Sequence, residues 1–241
     1  MVPKLRPGAA TAVCPAGEHV TSGGVIGQFR PPVGNGPIMF PEGMRRTAGN
    51  KWTVYGWNNA LFTGSRLTAV AYCDHGAVPA VAEQTVALPG GKVATAIAAC
   101  PAGSVVVGGG YNSASSPGHL EIVVRLGLLS ARQWVVSMGN FRSAGTKLTA
   151  IAYCGHGVAP TEAAAAATLG AHKGGTVRVS CPSGTSVLFG GVAASSPGTS
   201  SKQFADLAPF SWTAADTKQW VVTGYNAGNL AGTLFAVAYC R

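Results

Sequence analysis

One passage is written three times in this chain. Cys-Pro-Ala-Gly at 14–17, the same four residues at 100–103, and Cys-Pro-Ser-Gly at 181–184 each open a unit. LTAVAYC at 67–73, LTAIAYC at 148–154 and LFAVAYC at 234–240 each close one. A repeat of this kind constrains a fold more than any composition does, because each copy must build the same supersecondary unit. Further landmarks keep step. The interval from Cys73 to Cys100 equals that from Cys154 to Cys181. A glycine pair follows each opening turn, at Gly23-Gly24, Gly109-Gly110 and Gly190-Gly191. A tryptophan heads a short apolar run at Trp52, Trp134 and Trp220, and an asparagine lies 14 residues before each closing cysteine, at Asn59, Asn140 and Asn226. The 241 residues therefore divide into 1–78, 79–159 and 160–241, three units of one domain.

Six cysteines, two per unit at matched positions, contain no CxxC and no Cys/His cluster. That spacing argues against zinc and for disulfides, hence for an exported protein. Six cysteines allow fifteen pairings. A threefold arrangement leaves three of them, and pairing within each unit is favoured: Cys14–Cys73, Cys100–Cys154 and Cys181–Cys240. Met1-Val2-Pro3-Lys4 lacks the apolar core of a signal peptide, which reads as a mature form with a start methionine.

Charged residues are only 10% of the chain and the net charge is +9. The basic residues are scattered and Arg45-Arg46 are the one adjacent pair, so no stripe for nucleic acid is visible. Attraction to an acidic cell-surface polymer remains open. No uncharged run is long and apolar enough for a membrane span.

In the second unit, short strands flank Pro-Gly-Gly at 89–91, the Cys100–Gly103 turn and the glycine cluster at 108–110. The closing strand Leu148–Cys154 is apolar on both faces and reads as central. Ala163–Ala167 favours helix by propensity but is too short to hold one, and reads as strand or loop. Together these predict an all-β body: a pseudo-threefold β-prism of three Greek-key-like sheets, one per repeat. A six-bladed β-propeller is the alternative.

The landmarks Cys14, Pro15, Gly17, Asn59 and Cys73, with their counterparts, resemble the β-prism family of vitelline membrane outer layer protein I. They also resemble secreted bacterial repeat proteins of the same layout. The resemblance spans the chain and implies a prism and carbohydrate binding.

Catalytic signatures are absent. None of the eight carboxylates recurs between units, and a glycosidase-type pair such as Glu42 with Asp206 is weaker than a reading as solvated loop charges. His75 and His156 recur two residues after the closing cysteine and read as turn residues. Gly108–Gly110 lacks the following Gly-Lys-Ser/Thr of a phosphate loop. No enzyme activity, cofactor or metal is expected, and the repeated tryptophans read as core anchors. Variation between units concentrates in Val25–Lys51, Tyr111–Gln133 and Val192–Gln219. Loops on a rigid scaffold carry binding function. These hold Phe29, Arg30, Arg45, Arg46, Phe210 and Trp212. Arg45, Arg46, Phe210 and Trp212 are the expected binding residues, with satellite core as the competing reading. The expected function is a secreted module binding a glycan or cell-surface polymer. A structural subunit of a self-assembling extracellular or particle-surface layer is the alternative.

Overall fold

A computed structural model describes residues 1–28, 39–59, 64–113, 121–195 and 207–241. These residues form seventeen strands and no helix. No helix among them is therefore long and apolar enough to cross a membrane. Phe29, Arg30, Gly118 and Asp206 lie outside the described residues.

The strands make three antiparallel sheets. The first runs β1 (Arg6–Val13), β4 (Lys51–Asn58), β3 (Met39–Ala48), β8 (Val105–Ser113), β11 (Thr146–Gly155), β6 (Ala80–Leu88). In the second the order is β12 (Thr161–Leu169), β17 (Gly232–Cys240), β14 (Val187–Ser195), β9 (Glu121–Ser130), β10 (Gln133–Asn140), β7 (Val93–Ala99). The third has five strands: β13 (Gly174–Ser180), β16 (Gln219–Asn226), β15 (Leu207–Ala214), β2 (His19–Gly27), β5 (Leu67–Asp74). Three sheets of this size exclude the six-bladed alternative. The Ala163–Ala167 run is strand, inside β12.

The expectation of one sheet per repeat is corrected. Each sheet joins three strands of one repeat to the glycine-pair strand and closing strand of another. The second sheet, for example, pairs β9 of the second repeat with β14 of the third. The seams are short. Each has two rungs: Gly43↔Asn112 and Met44↔Tyr111, Arg125↔Ala193 and Leu126↔Val192, Ser211↔Ile26 and Trp212↔Val25.

The repeated sequence explains why the seams close. A Cβ on the first glycine of each pair would collide with the tryptophan of its own repeat: Gly23 with Trp52, Gly109 with Trp134, Gly190 with Trp220. A Cβ on the second would strike a backbone carbonyl of the neighbouring repeat: Gly24 that of Trp212, Gly110 that of Met44, Gly191 that of Leu126. The tryptophans are buried core anchors. Trp134 and Trp220 donate Nε1–H to the carbonyls of Gly110 and Gly191, at 3.1 and 3.0 Å. The tyrosine before each closing cysteine also crosses a seam. The hydroxyls of Tyr72, Tyr153 and Tyr239 accept from the backbone N–H of Ala214, Arg46 and Leu128 at 2.6, 2.6 and 2.7 Å. Replacing Tyr153 with Phe leaves the Arg46 N–H unpaired in a part-buried place, which costs about 1–3 kcal/mol. A urea midpoint for Tyr153→Phe equal to wild type would refute this role.

All three disulfides lie within repeats, as Cys14–Cys73, Cys100–Cys154 and Cys181–Cys240. They point to an oxidising compartment. The opening turns share one geometry. Gly17, Gly103 and Gly184 have φ of 85°, 80° and 83°, and the N–H that follows each bonds back to the carbonyl of the turn's proline. That is a type II turn, whose third position requires positive φ.

One landmark shifts by a residue. Asn58, not Asn59, is the counterpart of Asn140 and Asn226. All three are buried, and Asn59 is exposed. Their Nδ2 groups donate to equivalent carbonyls: Val2 for Asn58, Leu88 for Asn140 and Leu169 for Asn226.

Candidate functional site

The expected binding residues do not form one surface. Trp212 is fully buried, with Nε1 3.3 Å from Met44 Sδ. It occupies the strand position that Met44 and Leu126 hold in the other repeats, so it belongs to a shared inner layer. Phe210 is 3% exposed. Neither ring offers a face to solvent, which corrects the expectation that Phe210 and Trp212 are binding residues. Arg46 is a clamp. Its guanidinium donates to the carbonyls of Val20 and Pro79 at 3.2 and 2.6 Å and lies 4.7 Å from the centre of the Tyr153 ring. Burial lowers its pKa. Arg45 alone reaches a candidate site, with its guanidinium carbon 5.8 Å from the centre of the Tyr55 ring.

That site is a groove of about 380 Å³ on the first sheet, lined by Pro7, Gly8, Ala9, Glu42, Tyr55, Gly56, Asn112 and Ser113. Four adjacent strands build it. Gly8 pairs with Gly56, and Ala9 with Tyr55, across β1 and β4; Gly43 pairs with Tyr55 on one side and Asn112 on the other. Gly43 contributes no side chain, so the strip between Tyr55 and Asn112 is recessed.

Glu42 enters the groove through a β-bulge. The β3–β4 register slips between Pro41 and Gly43, leaving Glu42 as the extra residue. Corresponding slips leave Val124 extra in β9 and Phe210 extra in β15. A bulge of this kind re-aims a side chain. At two of the three positions the re-aimed side chain is apolar; at the third it is a carboxyl. Burial raises the Glu42 pKa to about 8; nearby Glu121 pushes the same way and Arg142 opposes. Glu42 Oε1 has no hydrogen-bond partner among the described residues. Glu121 is fully buried, and burial also raises its pKa, with nearby Ser113 and Arg142 opposing. At neutral pH the groove thus holds a protonated carboxyl that can both donate and accept, a tyrosine, an amide and a hydroxyl.

A second cavity, of about 450 Å³, lies among the cysteine ends of the repeats, with His19, His75, His156 and Arg241 in its wall. Two of its histidines are matched turn residues. His75 Nδ1 and His156 Nδ1 sit 3.4 and 3.3 Å from the carbonyls of Gly17 and Gly103 in the opening turns. Among the described residues no cluster of three His, Cys, Asp or Glu could hold a metal ion. The groove on the first sheet is the stronger candidate, because Glu42, Tyr55 and Asn112 have no chemical counterparts in the other repeats. Tyr55 and Asn112 carry no signal in the sequence: one is a strand residue in an apolar run, the other follows the glycine cluster. No protein-family model matches this chain, and no curated protein matches it in sequence.

Proposed function

We propose that the protein is a secreted, disulfide-stapled β-prism that binds carbohydrate, as part of a cell-surface polymer, without catalysing a reaction. The observation that supports this reading is the groove on the first sheet. A half-buried aromatic ring stands beside neutral hydrogen-bonding groups, the combination a sugar ring with hydroxyls on its edge requires. Arg45 against Tyr55 adds a cation for anionic substituents of such a polymer. Three disulfides fit export, and the resemblance of the turn and closing-strand landmarks to vitelline membrane outer layer protein I fits a sugar-binding prism. The symmetric parts of the molecule pack its core; chemistry that occurs once is where recognition belongs.

The test is a double variant, Tyr55→Ala with Asn112→Ala, titrated against cell-wall and other surface polysaccharides by affinity electrophoresis. Binding falls about tenfold or more, the loss expected on removing a central anchor, while the thermal midpoint stays within a few degrees. Unchanged retardation on every polysaccharide that wild type binds would refute the groove as the site. Low charge favours a second reading, a structural subunit of an extracellular layer. A large, polydisperse mass in solution would support it.

A further inference from the structure

The second cavity lies where the three repeats meet. β2, β8 and β14 touch one another, and each carries a β-bulge two residues before its glycine pair. The register slips leave Thr21, Val107 and Leu188 as the extra residues. All three line the cavity of about 450 Å³. Three matched positions can share one cavity only near the pseudo-threefold axis. A bulge re-aims its side chain, and here the three converge. The Thr21 hydroxyl donates to the Tyr72 carbonyl at 3.1 Å. Val107 and Leu188 are half-buried, so apolar surface is left on the cavity wall. The volume falls within the range of about 300–1,000 Å³ usual for small-molecule sites.

The polar part of the wall is not threefold. His19 stands four residues before its glycine pair, where the other repeats have Val105 and Ser186. It is 6% exposed and lines the cavity. Neither of its ring nitrogens has a hydrogen-bond partner among the described residues. The fold does not require a histidine here, since valine and serine hold the matched places. A polar ring buried without a protein partner points to a partner from solution.

The neighbouring groups decide what that partner is. Asp74 is the one carboxylate side chain in the wall, and its Oδ1 already accepts from the His75 N–H at 2.8 Å. His75 has Nδ1 3.4 Å from the Gly17 carbonyl and Nε2 3.6 Å from Glu18 Oε1. His156 engages only Nδ1, 3.3 Å from the Gly103 carbonyl. Its Nε2, the Ser104 hydroxyl and the Arg241 guanidinium have no partner among the described residues. Mutual backbone bonds of 3.0 and 2.8 Å to Ser186 hold Arg241 in place. Its Nη1 lies 3.5 Å from where a Cβ on Gly157 would stand, so the third repeat lays a cation against the closing turn of the second. Free donors outnumber free acceptors, and they share the wall with apolar surface.

We propose that this axial cavity binds a small organic acid, with its carboxylate on Arg241 and His19 and its apolar body on Val107 and Leu188. A guanidinium takes a carboxylate through two parallel hydrogen bonds, and the buried imidazole supplies a third. An inorganic anion would leave Val107 and Leu188 uncovered. A neutral ring would leave the donors unpaired. The cavity shares no lining residue with the groove on the first sheet, and the proposal stands without the carbohydrate reading.

The probe is benzoate, titrated into the full chain and followed through the Cε1–H proton signals of the histidines. Benzyl alcohol carries the same ring without the charge, and acetate the charge without the ring. The His19 and His156 signals move saturably with benzoate, and the other two probes bind at least about tenfold more weakly. Arg241→Gln removes the preference for benzoate over benzyl alcohol. Arg241 is exposed, so this variant keeps the fold. His19→Val, which installs the residue of the second repeat, weakens benzoate about tenfold and does not lower the thermal midpoint. A His19 signal that does not saturate at tens of millimolar benzoate overturns the proposal. So does equal affinity for the three probes, or an Arg241→Gln protein that still prefers benzoate. Acetate binding as tightly as benzoate would assign the site to a bare anion and overturn the apolar half of the reading.

Discussion

Valine at Gly110 is expected to destabilise the protein by about 3–5 kcal/mol, enough to leave many domains largely unfolded. A Cβ there points at the carbonyl oxygen of Met44, which belongs to the backbone of the neighbouring strand and cannot swing aside. The seam it would open is two rungs long, so little else holds β3 and β8 together locally. Gly24 and Gly191 face the carbonyls of Trp212 and Leu126 in the same way, and Gly24→Val and Gly191→Val should lose similar amounts. Gly17→Ala is the contrast. Nothing lies within 4 Å of a Cβ at Gly17, but its φ is 85°. Its loss is conformational, about 1–2 kcal/mol. Urea midpoints of the four variants decide the matter. If Gly110→Val loses no more than Gly17→Ala, close approach is not what the repeated glycine provides.

Those glycines also show how far the sequence could be read. Their recurrence marks a place where backbones meet, but the spacing does not say whose backbone. A glycine-pair strand that pairs within its repeat and one that pairs with the next repeat leave identical landmarks. That is why one sheet per repeat looked natural and why the shared sheets become visible only in three dimensions. The disulfides are different, because the pairing within each repeat was one of three that symmetry left, and the closing strand brings each pair together. Asn59 misled for a local reason: the interval from the buried asparagine to the closing cysteine is one residue longer in the first repeat, so counting back from Cys73 lands beside Asn58.

The burial of Trp212 and Phe210 is hidden in the sequence for a physical reason. Their segment does not align with its counterparts, and divergence between repeats resembles the variation of an exposed loop. Their counterparts in the strand register are Met44 and Leu126 for Trp212, and Glu42 and Val124 for Phe210. A shared inner layer can be filled by unequal side chains, one large where the others are smaller, without repeating in sequence. Core packing conserves total volume more strictly than the identity of each member. The groove left still less trace, since Tyr55 and Asn112 acquire their meaning only from strands that lie far apart in the chain.

Glu42 supplies the last expectation, a stability that declines with rising pH. Its folded-state pKa is raised from 4.5 to about 8, first by burial and then by Glu121. The folded protein therefore holds this proton more tightly than the unfolded chain does. The benefit is complete below the unfolded value, is lost as pH rises through the interval up to about 8, and changes no further above it. Within that window each pH unit removes about 1.4 kcal/mol. Glu121, raised in the same direction, adds to the slope. Glu42→Gln keeps the shape and cannot ionise. It should match wild type near pH 4, exceed it above pH 8, and retain only the slope that Glu121 contributes. Urea midpoints at pH 4, 6 and 9 measure this. A variant that stays parallel to wild type at all three would show that Glu42 does not titrate in the window. The other two bulges hold valine and phenylalanine, so a carboxyl is not what the bulge needs to pack. A buried acid that lowers stability at neutral pH and lines a groove with Tyr55 and Asn112 is better explained by what it contacts from solution than by the fold it weakens.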